Sequence, residues 1–266
     1  MNLKISTKVF FVIIFSWQNS QAQLSSQLHD RLFTAGYAHA FIGGLYDGYY
    51  PCHKLKQNGD FGLGAPDKLD GELLMLNGKI YQTQSTGKTF EVSDKALIPY
   101  AVVNFFKADR VLALKKPISR QSLYAFLDSV LNDVNGIYAI HLKGKFTTAK
   151  TRAFPAVITK PYQPLADMLA LQRFFNFETT SGDLVGYRLP GYMDGANITG
   201  YHFHFLSEDK KSGGHIIDFI AENLVIEIDQ LYSFAVDLPK TADFKNYDFT
   251  KNRHEELKSV ENGKKD

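Results

Sequence analysis

A single cysteine stands in 266 residues, and the formal net charge is only +2. With Cys52 alone, no intramolecular disulfide can form, and a metal site built from several thiolates is excluded. A lone cysteine is expected to pack as a small hydrophobe. The near balance of 30 basic and 28 acidic residues leaves no basic stripe for nucleic acid. No apolar run reaches the about 20 residues needed to span a bilayer. The sequence also lacks H-E-x-x-H, a G-x-S-x-G elbow, a Walker loop and a dinucleotide fingerprint. Internal repeats and low-complexity linkers are absent too.

What is present reads as a folded, strand-rich chain. The hydrophobic fraction is 44% with 22% charged residues, which excludes disorder, and 21 Phe with 14 Tyr favour strands. Residues 1–22 read as an export signal: Lys4 and Lys8 precede a short apolar run over 9–15, and Ser20-Gln21-Ala22 offers a small-x-small cleavage site. The expectation is a mature chain starting near Gln23, exported to the periplasm or outside the cell. A buried N-terminal helix is the bland alternative.

One helix is clear. Ser119 caps a run in which Leu123, Phe126, Leu127, Val130, Leu131 and Val134 share a face, and Asn135-Gly136 stops it. A second helix is expected over 165–174, with helical turns around 28–33 and before Asn58-Gly59. Residues 78–83, 138–142 and 219–231 alternate as strands, and Asn77-Gly78 is a tight-turn signal. The three prolines in 155–164 mark a boundary. The fold class is therefore α/β (α+β): an N-terminal α/β subdomain over 23–160 with a β-rich mixed sheet, a barrel-like C-terminal β-rich subdomain over 161–250, and a tail over 251–266.

The most informative stretch is Gly200-Tyr201-His202-Phe203-His204-Phe205-Leu206. In a strand, His202 and His204 emerge on one face while Tyr201, Phe203 and Phe205 pack on the other. A polar stretch ending in Gly213-Gly214 then reverses the chain into His215. Adjacent strands lie about 4.8 Å apart, so His215 completes a three-nitrogen face. Three protein ligands and an open position describe a catalytic zinc site. Half-buried histidines bonded to carbonyls are the competing reading, and Glu208, Asp209 and Asp218 are candidate partners for an imidazole N–H. His29, His39, His53, His141 and His254 are isolated.

The order of further blocks resembles the alpha-acetolactate decarboxylase family. Gly59-Asp60-Phe61-Gly62-Leu63-Gly64, Leu69-Asp70-Gly71-Glu72-Leu73, Leu184-Val185-Gly186-Tyr187-Arg188 and the histidine hairpin carry the resemblance, which runs over 28–261. It implies a two-domain α/β homodimer that binds Zn2+ through His202, His204 and His215. The reaction it implies is decarboxylation of (S)-2-acetolactate to (R)-acetoin and CO2, with no nucleic-acid or membrane partner. By motif position it assigns Glu72 as the catalytic glutamate and Arg152 as the active-site arginine. A second glutamate comes from the tail: Glu261 is preferred, with Glu255 and Glu256 close by. One departure stands out: the family's Gly-Thr-Phe is replaced by Gly64-Ala65-Pro66, which removes a hydroxyl from the site.

These residue types suit that chemistry. Loss of CO2 leaves an electron pair that a metal-polarised ketone can accept. An arginine fork pairs with a carboxylate, and a carboxylic acid, Glu72 or Glu261, delivers a proton to one face. Two other classes compete. A cupin-like metal oxidoreductase would pair H-x-H with a ligating glutamate a few residues on, and a secreted β-rich binding module would use its histidines structurally.

Overall fold

A computed structural model describes residues 29–262, so the export signal expected at 1–22 lies outside the described residues. From Arg31 onward the described elements are β1 (Arg31–Ala35), α1 (Ala38–Ile42), β2 (Tyr50–Pro51), α2 (Cys52–Leu55) and β3 (Phe61–Ala65). β4 (Glu72–Leu76), β5 (Lys79–Thr83), β6 (Thr89–Glu91), β7 (Leu97–Ile98) and β8 (Tyr100–Asn104) follow. Next come β9 (Arg110–Leu114), β10 (Ile118–Ser119), α3 (Arg120–Val130), β11 (Ile137–Ala153) and β12 (Arg173–Leu189). β13 (Gly200–Ser207), β14 (Gly213–Leu231), β15 (Ser233–Asp237), α4 (Ala242–Lys245) and α5 (His254–Asn262) complete the described chain. None of its helices is long and apolar enough to cross a membrane.

Two sheets organise the molecule. The first runs β15-β1-β8-β3-β4-β5-β6, and its edge strand β15 arrives from the far end of the chain to lie parallel to β1. The second is built on β11 to β14, with β9 and β10 along β14. Here β11 pairs with β12, β12 with β13, β13 with β14 and β14 with β11, closing a small barrel-like ring. The sheets do not part at 155–164, where the boundary was expected. β11 before that stretch and β12 after it are antiparallel neighbours from Tyr138↔Arg188 to Ala153↔Arg173.

Alternation sorts the side chains into three apolar layers. One lies between the sheets, where Leu63, Leu74 and Val102 meet Ala139, Val185 and Leu206. A second lies on the far side of the second sheet, where Leu123 and Leu127 of α3 cover Ile140, Phe203, Phe205 and Ile226. The third backs the first sheet, with Cys52 and Leu55 of α2 against Leu73, Met75 and Val103. Cys52 is buried as expected, and burial pushes its thiol up to about 11.

Several local expectations hold. Ser119 caps α3 by accepting a bond from the Ser122 amide, and Asn77-Gly78, both at positive φ, joins β4 to β5. Others do not. Of the turn expected around 28–33, His29 is helical, but residues 31–35 form β1, because a strand covered on both faces shows a continuous apolar run that mimics helical spacing. The second helix is a 3-10 segment, Leu165–Leu171, cut short where Arg173 joins the β11 ladder. α3 stops at Val130 and leaves Val134 exposed.

Candidate metal and catalytic centre

The histidines are placed by strand register. On β13, Phe203 and Phe205 turn into the layer under α3, and Tyr201 stacks on Tyr124. His202 and His204 point the opposite way, into the space between the sheets, as alternation requires. His204 lies opposite His215 on β14, and His215 lies opposite Arg152 on β11. Three adjacent strands thus set His204, His215 and Arg152 in one row. Glu72 enters from the first residue of β4, and Glu261 from the last turn of α5.

All six predicted site residues meet. The imidazole ligand atoms of His202, His204 and His215 lie within 4.8 Å of one another, and the His202 and His204 Nε2 atoms are 3.2 Å apart. Glu72 Oε2 is 3.4 Å from His204 Nε2, and Glu261 Oε2 is 3.8 Å from Nε2 of both His202 and His215. Arg152 donates from Nη1 to Glu72 Oε1 at 2.6 Å and from Nη2 to the Val260 carbonyl at 3.3 Å. Its Nε and the His215 Nδ1 are buried without a partner.

Burial sets the protonation of this cluster. It pushes the Glu72 carboxyl up to about 7 against the opposing pull of Arg152. Glu261 rises to about 8 by the same burial, with Arg152 opposing and Glu72 reinforcing. Burial also brings His204 down to about 3, although its bond to a backbone carbonyl opposes this. His202 and His215 fall well below their ordinary value through burial first; His204 and Arg152 add to this for both, and His202 adds to it for His215. The imidazoles are therefore neutral and offer lone pairs. His204 Nδ1 donates to the Leu73 carbonyl at 2.7 Å, which fixes its tautomer and leaves Nε2 free to ligate.

Apolar walls close the site. Phe41 and Ile42 of α1, Ala65, Tyr100, Ile198 and Val260 line a cavity of about 30 Å³. Ala65 was flagged by the resemblance; the others carry no motif that a sequence would reveal, and the Leu73 carbonyl, being backbone, leaves no side-chain signal at all. The candidate carboxylate partners Glu208, Asp209 and Asp218 do not serve the imidazoles. Glu208 is exposed, Asp209 accepts from Ser207 in the turn, and the Asp218 side chain is 69% exposed near Arg120. The carboxylates at the centre come instead from β4 and α5. Of the other histidines, His141 is held between Glu227 and Asp183, at 2.7 and 2.9 Å, away from the centre.

Comparison with known proteins identifies the family. The family model of alpha-acetolactate decarboxylase matches residues 32–251. The chain is 38% identical over 246 residues to the alpha-acetolactate decarboxylase of Methanosarcina mazei, covering 92% of this chain and 85% of the relative. It is 32% identical to that of Bacillus licheniformis, covering 87% and 90%. The crystal structure of acetolactate decarboxylase from Bacillus subtilis subspecies spizizenii superposes with a TM-score of 0.84 at 31% identity, over 86% of this chain and 99% of that one. The chain belongs to the alpha-acetolactate decarboxylase family.

Proposed function

We propose that this enzyme binds one zinc ion through His202, His204 and His215 and converts (S)-2-acetolactate to (R)-acetoin and CO2. The observation that carries the reading is the convergence of three neutral imidazoles, one buried and one half-buried carboxyl and one guanidinium on a single cavity. The donor set fits the metal. Two imidazoles sharing a tetrahedral zinc at about 2.0–2.1 Å have nitrogens about 3.3 Å apart, and the His202 and His204 nitrogens are 3.2 Å apart. A zinc ion bound there supplies a Lewis acid that polarises the ketone and hydroxyl oxygens of the substrate.

The chain's own groups supply the rest. Arg152 has a buried Nε–H with no partner, and it orients the substrate carboxylate beside the metal ligands. When the C–C bond breaks, CO2 leaves and the electron pair stays on the carbon next to the ketone. A proton must then reach that carbon from one side. Glu72 and Glu261 both hold a proton near neutral pH through burial, and either carboxyl can deliver it. The apolar walls exclude bulk water, which would protonate either face.

The test is incubation of the purified mature protein with racemic acetolactate, following acetoin and its configuration. Chelator treatment is expected to abolish acetoin formation and zinc to restore it; full turnover by metal-free protein would sink the mechanism. Export to the periplasm or outside the cell, supported by the basic and apolar pattern of residues 1–22, and homodimerisation belong to the same proposal. N-terminal sequencing of the mature protein and light scattering check them.

A further inference from the structure

We propose that Arg253 is a positioning residue for Glu261 and that it works through a notch left open by Gly43 at the end of α1. This rests on the decarboxylase reading, because it assigns what seats one of that reading's proton-carrying carboxyls. The family match ends at residue 251, so the match covers neither Arg253 nor Glu261.

Glu261 is the one carboxyl of the centre that is carried by no strand. It rides on α5, whose Leu257 and Val260 are buried among apolar side chains near Leu165 and Met168. Apolar packing is non-directional and leaves the rotation and advance of a helix weakly specified. Arg152 holds the last turn through the Val260 carbonyl, and Arg253 supplies the direction at the first. It is 5% exposed, and its Nε donates to the Tyr247 hydroxyl at 2.7 Å. That hydroxyl in turn donates to the His39 carbonyl of α1 at 3.1 Å. The Arg253 Nη1 pairs with Glu256 one turn into α5, and the Arg253 carbonyl accepts the Leu257 amide at 2.9 Å. Arg253 therefore fixes the start of the helix in both rotation and register. Positions 253, 257, 260 and 261 share one helical face, and the eight-residue step from anchor to Glu261 is about 12 Å at 1.5 Å per residue.

Gly43 makes the docking possible. Its φ of −78° is open to any residue, so glycine is not required by the backbone. Space requires it: a Cβ there would lie 1.7 Å from the Tyr247 hydroxyl and 2.7 Å from Arg253 Nε. The two residues before it, Phe41 and Ile42, line the metal cavity. One short helix thus forms part of the cavity wall and receives the anchor of the carboxylate that closes it.

The experiment is a double-mutant cycle on the full chain loaded with metal. Misplacing a reacting group by about 1 Å costs on the order of a hundredfold, so Arg253→Ala should lower kcat by about tenfold to a hundredfold with little change in KM. Added to Glu261→Gln, the same substitution should cost nothing further, since its effect passes through Glu261. Arg253→Lys, which keeps a donor and the charge, should recover part of the loss. Independently of turnover, Arg253→Ala should speed amide hydrogen exchange across 254–262 and leave β13 and β14 protected with metal content unchanged. If Arg253→Ala does not fold, Gly43→Ala takes its place in the cycle with the same expectations. An unchanged kcat, an equal loss in both backgrounds, or unchanged exchange in the tail would overturn the proposal. A wild-type protein that makes no acetoin would overturn the functional reading instead, and the exchange experiment would still decide the anchor.

Discussion

Arg152 Nη1 lies 2.6 Å from Glu72 Oε1 while Nη2 reaches the Val260 carbonyl at 3.3 Å, so one buried guanidinium joins β4 to the last turn of α5 above the three histidines. The planar fork makes this geometry, and an ammonium cannot span both partners. Arg152→Lys keeps the charge but surrenders a charge-assisted bond of about 1.5–3 kcal/mol. The expected outcome is a fall in kcat/KM of about ten- to a hundredfold, measured on protein whose metal content matches the wild type. Unaltered kinetics would remove Arg152 from the reaction.

Gly214 makes a second, structural prediction about the same row of residues. Its φ is +121°, and a Cβ would lie 2.7 Å from the Arg152 carbonyl oxygen and 3.1 Å from Thr151 Oγ1. The next residue is His215, opposite both His204 and Arg152. Gly214→Ala should therefore cost about 1–3 kcal/mol in folding stability and weaken metal binding by at least about tenfold. Gly191→Ala, where a Cβ meets nothing within 4 Å, is the control expected to change neither. Denaturant unfolding and metal titration read both effects.

The hairpin was legible because alternation is a local property. His202 and His204 lie two residues apart on one strand, and the chain reversal that brings His215 opposite them is short enough to read from Gly213-Gly214. Glu72 and Arg152 were a different matter. They touch across 80 residues of sequence, and without the family blocks each would pass for a solvated surface charge. The resemblance placed them; periodicity did not. Strand pairing spans the expected boundary as well. The prolines of 155–164 mark a crossing between two paired strands, and β15 returns to the first sheet after the second is complete. No local pattern announces either contact. The walls of the cavity were unreadable for the same reason, since Phe41, Tyr100 and Ile198 look like ordinary core until the layers are stacked.

Asp229 sets a pH dependence away from the metal. It is 3% exposed between the sheets and accepts bonds from Asn104 Nδ2 at 2.9 Å and the Lys107 amide at 3.1 Å. Burial nevertheless pushes its carboxyl from 3.8 to about 7. A folded pKa above the unfolded one means that the group's contribution is complete below 3.8 and is lost as pH rises through about 7. Asp229→Asn keeps the shape and an accepting oxygen but cannot ionise. The variant should lose less thermal stability than the wild type between pH 5 and pH 8, by a few degrees, at about 2–4 °C for each kcal/mol in a protein of this size. Parallel melting curves across that range would show that Asp229 is not the linked group.

Ala65 gives the prediction most particular to this chain. It ends β3 opposite Tyr100, is 3% exposed, and lines the metal cavity where the resemblance implies a threonine. The hydroxyl of the neighbouring Tyr100 does not take its place, because it is turned to Asn197 Oδ1 at 3.5 Å. Restoring threonine outright would add a methyl group as well as an oxygen to a cavity of about 30 Å³, and overpacking costs about 1–3 kcal/mol. Serine adds only the oxygen. A neutral hydrogen bond is worth about 0.5–1.5 kcal/mol, so Ala65→Ser should raise kcat/KM for acetolactate by roughly two- to twelvefold, while Ala65→Thr should gain less or lose stability. Equal or lower kcat/KM in the serine variant, with folding and metal content intact, would show that the wall at this position does not reach the substrate.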